Sequence, residues 1–146
     1  MKSILPIIIG LFIVIASSCS LIGQKEDIQN PELSKEIVEM RDHEQKLRGK
    51  WANMVKKGKQ DTPKFIKTTE ELIAADTKNT ARMKAIVEEY GWPTMSLIGK
   101  RPASSAWLLV QHADRDPLFQ MHCLPLLKAA MDEGEAKPIN LSLIHI

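Results

Sequence analysis

The chain has little cysteine, which limits both its stabilisation and its chemistry. Of 146 residues only two are cysteine, Cys19 and Cys123, so the framework of several disulfides found in many small secreted domains is excluded. A modified Cys19 would leave Cys123 without a partner for an intramolecular disulfide. No basic or aromatic motif surrounds Cys123 to activate its thiol, and we predict that it packs as a small buried residue.

An excess of charge of one sign is also lacking. The 20 Lys and Arg residues nearly balance the 18 Asp and Glu residues, and the formal net charge of +2 supplies no general attraction to nucleic acid. We therefore predict no nucleic-acid partner. One local excess exists, because eight basic residues and one acid, Asp61, lie between Lys46 and Lys67. This segment is either a solvated connection or a contact with anionic headgroups.

The sequence lacks an apolar run long enough to cross a membrane. Its N-terminal run, residues 4–15, falls short of the about 20 residues that a spanning helix needs. The run follows the positive charge of Lys2 and precedes the small residues 16–18, which is the three-part layout of a secretory signal. We predict a signal peptide over residues 1–18 and an exported protein.

Cys19 directly follows those small residues. This arrangement resembles the lipobox of bacterial lipoproteins, except that Ala16 stands where the motif usually has Leu. The resemblance implies a lipid on Cys19 that anchors the mature domain to a membrane, at about 0.8 kcal/mol per buried methylene. We expect a bacterial protein that lies in the periplasm or is associated with the outer membrane. Simple cleavage without a lipid and an uncleaved anchor are the alternatives.

The alternation of apolar and polar residues that is typical of strands is missing, and apolar residues recur at helical spacing almost throughout. We predict an all-α compact bundle of about four helices over residues 31–140, preceded by a tether over residues 19–30. Asn30-Pro31 and Asp116-Pro117 each predict a helix start, in which a capping side chain is followed by proline in the first turn.

The other helix limits follow from residues that break helices. Gly49 and the lysine-rich run after it loosen or end the first helix. The second helix spans about residues 65–90 and stops at Gly91. A connector over residues 94–102 then leads to a third helix over about residues 103–114, and Asp116-Pro117 starts the fourth.

Polar residues interrupt the apolar stripes of these helices. Glu44 occupies a stripe position in the first helix, and Asn79 occupies one in the second. Gln111, His112 and Asp114 prolong an apolar surface at the end of the third. A buried polar group without a partner costs ~1–3 kcal/mol. These residues therefore predict an inward polar cluster whose members pair with one another.

Within this cluster we expect specific ion pairs. Arg48 should pair with Glu44 or Asp76, and His112 should pair with Asp114 or Asp76. In a functional site, a histidine oriented by a carboxylate moves a proton and an arginine binds an anion. In the structural alternative, the same groups form a buried hydrogen-bond network that fixes the register of the helices.

The motifs Gly91-Trp92-Pro93 and Gln111-His112-Ala113-Asp114, with the following Gln120, resemble an uncharacterised family of bacterial secreted proteins and lipoproteins, a domain of unknown function. The family's acidic-Gln-x-x-Arg and Asp-x-x-Asn patterns also match, at Glu44 and Asp76. The resemblance covers about residues 33–140 and implies no activity. The candidate ligand-binding residues are then Glu44, Gln45, Arg48, Asn79, Trp92, Gln111 and Gln120, and the candidate catalytic residues are His112, Asp114 and Asp76.

We predict a cell-envelope domain in which a pocket around His112 binds an unidentified small molecule or an envelope protein. The alternative is a small hydrolase or transferase with His112 as general base, Asp114 or Asp76 as the carboxylate that orients it, and Arg48 as an anion clamp. We expect no metal site, because His112 and Asp114 lie two residues apart and cannot share one side of a helix. We expect no cofactor either.

The last residues, 141–146, read LSLIHI and match the translation of a widely used transposase sequencing adapter. We interpret them as a library artefact after an incomplete domain that stops near Asn140. The Asp-Arg pair and the Tyr-Gly-Thr-Gln ending of the resembled family are then missing, and the site that His112 helps to build is incomplete. A natural stop codon after Ile146 would contradict this interpretation.

Overall fold

The computed structural model describes residues 27–137 of the chain. Within them it has five α-helices and no strand, which confirms the predicted all-α fold. The helices are α1 (Pro31–Lys56), α2 (Pro63–Tyr90), α3 (Met95–Ile98), α4 (Lys100–Gln111) and α5 (Pro117–Asp132). The predicted signal peptide, Cys19, most of the predicted tether and the adapter-like residues lie outside the described residues.

The first helix begins as its sequence predicts. The side chain of Asn30 accepts a hydrogen bond from the backbone N–H of Leu33 at 3.0 Å, and proline follows in the first turn. Gly49 does not end α1, which continues to Lys56. A glycine inside a helix costs roughly 0.5–1 kcal/mol, and the burial of Leu47 and Met54 on either side of it offsets this cost.

The second helix runs antiparallel to the first and forms a hairpin with it. Thr62 caps α2 by accepting a hydrogen bond from the N–H of Phe65 at 3.2 Å, so the helix starts slightly earlier than predicted. Gly91 ends it with a φ of 71°, a left-handed conformation that glycine adopts without strain. This confirms the predicted stop.

The predicted connector over residues 94–102 is wrong in part, because most of it is helical. Thr94 accepts a hydrogen bond from the N–H of Leu97 at 3.3 Å and caps the short helix α3. Gly99, with a φ of 89°, redirects the chain directly into α4. The predicted third helix therefore starts at Lys100, and Pro102 is tolerated in its first turn, where no intrahelical N–H donor is needed.

The fifth helix starts at the predicted place, where Asp116 accepts a hydrogen bond from the N–H of Phe119 at 3.1 Å. Its buried face includes Cys123 and Leu127, which are almost fully inaccessible to solvent. Burial raises the pKa of the Cys123 thiol to about 12, so the thiol stays protonated at neutral pH. The prediction that Cys123 is a buried packing residue is confirmed.

The hydrophobic core has two parts. The larger part joins α1, α2, α4 and α5 through fully buried residues such as Ile37, Ile86 and Leu109. The smaller part consists of Leu47, Leu72 and Ala75, with Trp51 packed against them, and lies within the α1–α2 hairpin. No helix in the described part of the chain is long and apolar enough to cross a membrane.

Candidate functional site

Four charged or titratable side chains from three helices meet at the side of the α1–α2 hairpin that faces α4. We call Glu44, Arg48, Asp76 and His112 the charged cluster. Glu44 and Arg48 lie one turn apart on α1, Asp76 lies on α2, and His112 directly follows the last residue of α4. The predicted inward grouping of these four residues is therefore present.

Glu44 lies at the centre of the charged cluster and is fully buried. Its Oε1 atom accepts a hydrogen bond from Arg48 Nε at 2.5 Å and also contacts His112 Nδ1. Its Oε2 atom is buried and has no hydrogen-bond partner among residues 27–137. One carboxylate oxygen thus contacts both the guanidinium and the imidazole, while the other has no donor among the described residues.

Asp76 lies at the edge of the charged cluster and is partly exposed. Its Oδ2 atom accepts a hydrogen bond from Arg48 Nη2 at 3.0 Å. Its Oδ1 atom is buried and lacks a hydrogen-bond partner within the described range. Arg48 is thus held by two carboxylates from different helices, and the second oxygen of Asp76 remains an unused acceptor.

The two carboxylates of the charged cluster differ in their electrostatics. Burial, the largest single influence, raises the pKa of Glu44, but the contacts with His112 and Arg48 together outweigh it and leave that pKa below its ordinary value. Burial also raises the pKa of Asp76, and the opposing charge of Arg48 is too weak to cancel this, since Glu44 adds to the rise. The ionised form of Glu44 is therefore favoured by the fold, and that of Asp76 is disfavoured.

A cavity of about 210 Å³ opens beside Asp76 and His112. It is smaller than the roughly 300–1,000 Å³ of typical drug-sized ligand sites and has room for a small molecule. Its polar lining comes from Asp76, Thr77, Thr80, His112, Asp114, Arg115 and Asp116. The two threonines were not predicted from the sequence. Thr80 lies four residues after Asp76, a spacing that places both on the same side of α2, whereas Thr77 directly follows Asp76 and offers no such signal.

The carboxylate partner of His112 differs from the one predicted. The sequence favoured Asp114 or Asp76, and the structure has Glu44. The predicted third helix extended to Asp114, but α4 ends at Gln111, and Asp114 lies in the following turn with an exposed side chain. Because the helix stops early, Asp114 lines the cavity at its rim and makes no hydrogen bond or ion pair with His112 among the described residues.

Gln120 bonds the backbone at the end of α4. Its buried side-chain Nε2 donates hydrogen bonds to the backbone carbonyls of Val110 and Gln111, at 3.1 and 3.0 Å. These carbonyls belong to the last turn of α4, where intrahelical donors run out, and the carbonyl of Val110 also accepts a hydrogen bond from the N–H of Ala113 at 3.1 Å. The side chain of Gln120 is therefore used by the fold at this helix end, next to the charged cluster.

Three of the other predicted ligand-binding residues lie apart from the charged cluster. Trp92 is buried in the main core and borders the start of α4 together with Trp107, at the opposite end from His112. Asn79 is buried and lines a separate groove between α1 and α2. Gln45 is partly buried and makes no hydrogen bond to the cluster within residues 27–137. These three residues do not form one site with His112.

A metal is not favoured by this geometry. Among the described residues, no group of three or more His, Cys, Asp or Glu side chains is arranged to hold a metal ion. The carboxylates of Glu44 and Asp76, which lie nearest to His112, instead share ion pairs with Arg48. The site offers hydrogen-bond acceptors and one imidazole rather than a set of side chains free to coordinate a metal ion.

Comparison with known proteins gives one match. Residues 31–141 match the model of a family of unknown function, DUF6624, which covers all five helices. No curated protein and no solved structure matches the chain. The expectation of an uncharacterised family is confirmed at this level, and the comparison supplies no activity.

Proposed function

We propose that this domain binds a small ligand in the cavity between Asp76 and His112. The chain belongs to DUF6624, a family of unknown function, so the support comes from the geometry of this domain itself. The observation that carries the proposal is the unused Oδ1 atom of Asp76, which is buried without a partner in the described structure. Asp76 also lines the cavity, so a ligand that donates a hydrogen bond to its carboxylate would offset part of the cost of about 1–3 kcal/mol for an unpaired buried acceptor.

The charges around the cavity indicate the class of ligand. Three aspartates line it, Asp76, Asp114 and Asp116, against one arginine, Arg115. Asp116 is already paired with Lys84. Asp76 is only partly neutralised, because its one hydrogen bond comes from Arg48, which also pairs with Glu44. The excess of acceptors favours a ligand with hydrogen-bond donors, such as an amine or an amino sugar.

His112 supplies the second polar group for such a ligand. Its Nδ1 atom is buried against Glu44, while the side chain keeps 20% of its surface exposed and lines the cavity. The Nδ1 contact fixes the orientation of the ring and leaves Nε2 as the ring nitrogen available to a ligand. Arg48 is already held by two carboxylates, so it is not available as the anion clamp that the sequence suggested.

A small hydrolase or transferase is the second candidate, and the Glu44–His112 contact is the observation that favours it. A buried carboxylate that holds one imidazole nitrogen leaves the other to act as general base, which contributes typically 10²–10⁴-fold to a rate. In this version His112 removes a proton from a water or a substrate hydroxyl in the cavity, and Glu44 takes the orienting role that the sequence assigned to Asp114 or Asp76.

We also propose that the domain acts in the cell envelope of a bacterium, anchored by a lipid on Cys19. The support is the signal-like order of charge, apolar run and small residues before Cys19. Replacement of Cys19 by Ala should move the expressed protein from the membrane fraction to the soluble fraction. Retention of the variant in the membrane fraction would argue for an uncleaved anchor.

Thermal unfolding with defined probes tests the ligand proposal. Ethanolamine and glucosamine, each added separately, should raise the melting temperature of the full chain by mass action, which at about a hundred times the dissociation constant corresponds to about 2.7 kcal/mol. Neither should raise the melting temperature of Asp76→Asn or His112→Ala. A shift without any product favours the binder, and turnover that His112→Ala abolishes favours the enzyme. Equal rises in melting temperature for the parent and for both variants would show that the probes do not bind at this cavity.

A further inference from the structure

The outer end of the α1–α2 hairpin carries a dense positive charge that the cavity proposal does not use. Six exposed lysines surround the turn between the two helices, and Asp61 is the one acid between the first and the last of them. We call this group the lysine tip; its members are Lys50, Lys56, Lys57, Lys59, Lys64 and Lys67. Lys67 lies 4.0 Å from Glu71, and the other five make no ion pair within residues 27–137.

An apolar side chain lies among these lysines. Ile66, in the first turn of α2, is 55% exposed, although its neighbour Phe65 packs against the ring of Trp51 at a centroid distance of 5.7 Å. The nearby lysines Lys64 and Lys67 line, together with Lys50, an open cavity of about 420 Å³. An exposed isoleucine surrounded by lysines is the combination found in proteins that bind the membrane interface.

The hairpin presents this tip away from the rest of the domain. The main core begins near the other end of α1, with Leu33 and Ile37, and α1 is about 39 Å long at 1.5 Å per residue. Around the tip the two helices are supported mainly by the small cluster of Leu47, Leu72 and Ala75. A flat surface can therefore reach the lysines and Ile66 without contact with the cavity at His112.

We propose that the lysine tip binds anionic phospholipid headgroups, with Ile66 inserted at the level of the acyl chains. Each lysine near a negatively charged membrane surface strengthens binding, and the effect decreases with salt within a Debye length. A nucleic acid fits less well, because the aromatic rings at the tip, Trp51 and Phe65, are packed against each other and do not offer free faces for stacking. The proposal stands whether or not Cys19 carries a lipid.

The test needs a signal from the tip itself, since the apolar N-terminal residues of the full chain can bind vesicles on their own. The variant Ile66→Trp supplies it: the full chain is mixed with vesicles that contain brominated acyl chains, made of phosphatidylcholine alone or with phosphatidylglycerol. Emission is compared with that of the parent chain. We expect quenching that depends on residue 66 in the phosphatidylglycerol vesicles only, and we expect high salt to remove it.

Matched charge variants complete the test. In the Ile66→Trp background, Lys56→Gln, Lys57→Gln and Lys59→Gln together should weaken the anionic-vesicle signal about a hundredfold in lipid concentration. The control Lys78→Gln, Arg101→Gln and Lys137→Gln removes the same charge from exposed positions outside the tip and should leave the signal within about threefold. Equal weakening by both sets, equal quenching in neutral vesicles, or no quenching at residue 66 would overturn the proposal. So would tighter binding of a single-stranded nucleic acid that involves no membrane.

Discussion

The carboxylate of Glu44, on the first long helix, contacts Nδ1 of His112 at the end of α4. Glu44 occupies a position where the pattern of α1 calls for an apolar residue, and it is fully buried there. Arg48, one turn further along α1, bonds the same oxygen. The carboxylate thus fixes both the imidazole and the guanidinium, and it leaves the opposite side of the imidazole toward a small cavity.

Replacement of Glu44 by Gln should lower the free energy of unfolding by about 2–3 kcal/mol, because Arg48 and His112 lose their shared anion in a buried setting. This difference in the free energy of unfolding should become smaller at low pH. The pKa of Glu44 is lowered in the folded chain, so its stabilisation is present above the pKa of the unfolded chain and disappears as the pH falls through the folded value. Urea unfolding over a pH series measures both effects.

The matched control for this variant is Glu39→Gln on the same helix. Glu39 is exposed and lies 3.9 Å from Lys35, and such surface pairs contribute about 0–1 kcal/mol. A loss from Glu39→Gln as large as that from Glu44→Gln would show that the effect is a general one of charge on α1. It would then not report on the contact with His112.

His112→Ala should destabilise the chain less than Glu44→Gln, by about 1 kcal/mol. Glu44 keeps Arg48 as a partner in this variant, and the imidazole that is lost was partly exposed. Thermal and urea unfolding measure the difference. A loss larger than that of Glu44→Gln would mean that His112 is chiefly a structural residue of a buried network.

Gln120→Ala should cost about 1–3 kcal/mol, since the carbonyls of Val110 and Gln111 each lose a hydrogen bond from its side chain. Gln60→Ala, at an exposed position between α1 and α2, is the matched control and should change stability by less than about 0.5 kcal/mol. Because Gln120 holds the end of α4 next to His112, ligand shifts should also weaken in Gln120→Ala. Equal stability of the two variants would contradict its role at this helix end.

Cys123 should resist thiol reagents while the chain is folded. Burial raises its pKa to about 12, so almost no thiolate is present at neutral pH, and the sulfur is nearly inaccessible. Reaction with a chromogenic disulfide, in a Cys19→Ser background that leaves one thiol, should be slow in buffer and fast in urea. A fast reaction in buffer would mean that α5 opens readily.

The sequence was sufficient to predict the features of the fold that depend on local chemistry. The capping side chains of Asn30 and Asp116 each accept the expected backbone hydrogen bond. The unusual carboxylate in the apolar stripe of α1, Glu44, also predicted a buried charged group that needs partners. These predictions depend on neighbours in the chain or on helical spacing, which the sequence contains directly.

The identity of the partner of His112 was beyond local reasoning. It depends on where α4 ends, and the end of α4 is bonded by the side chain of Gln120 on another helix. Helical spacing alone carried the predicted helix on to Asp114. In the same way, the left-handed conformation of Gly99 made two helices from a segment whose composition is typical of a connector. The cavity at Asp76 arises from two segments that are distant in the sequence, residues 76–80 and 112–116, and no single pattern contains it.

We propose that Asp76 and His112 form a binding site in which the ionised Asp76 side chain lowers the stability of the fold. Burial raises the pKa of Asp76 in the folded chain, so its favourable contribution is complete below the pKa of the unfolded chain and is lost as the pH rises through the folded value. At neutral pH the ionised side chain therefore opposes folding. Substitutions that remove a functional group of this kind commonly make the protein more stable at the expense of its function.

The most direct measurement is the free energy of urea unfolding of Asp76→Asn and of the parent, near neutral pH and again below the ordinary pKa of aspartate. The amide can still accept the hydrogen bond from Arg48 without the buried charge. The account predicts a variant at least as stable as the parent near neutral pH, with that advantage reduced in acid. A variant less stable by about 2 kcal/mol or more near neutral pH would show that Asp76 belongs to a structural ion-pair network, and it would contradict the account.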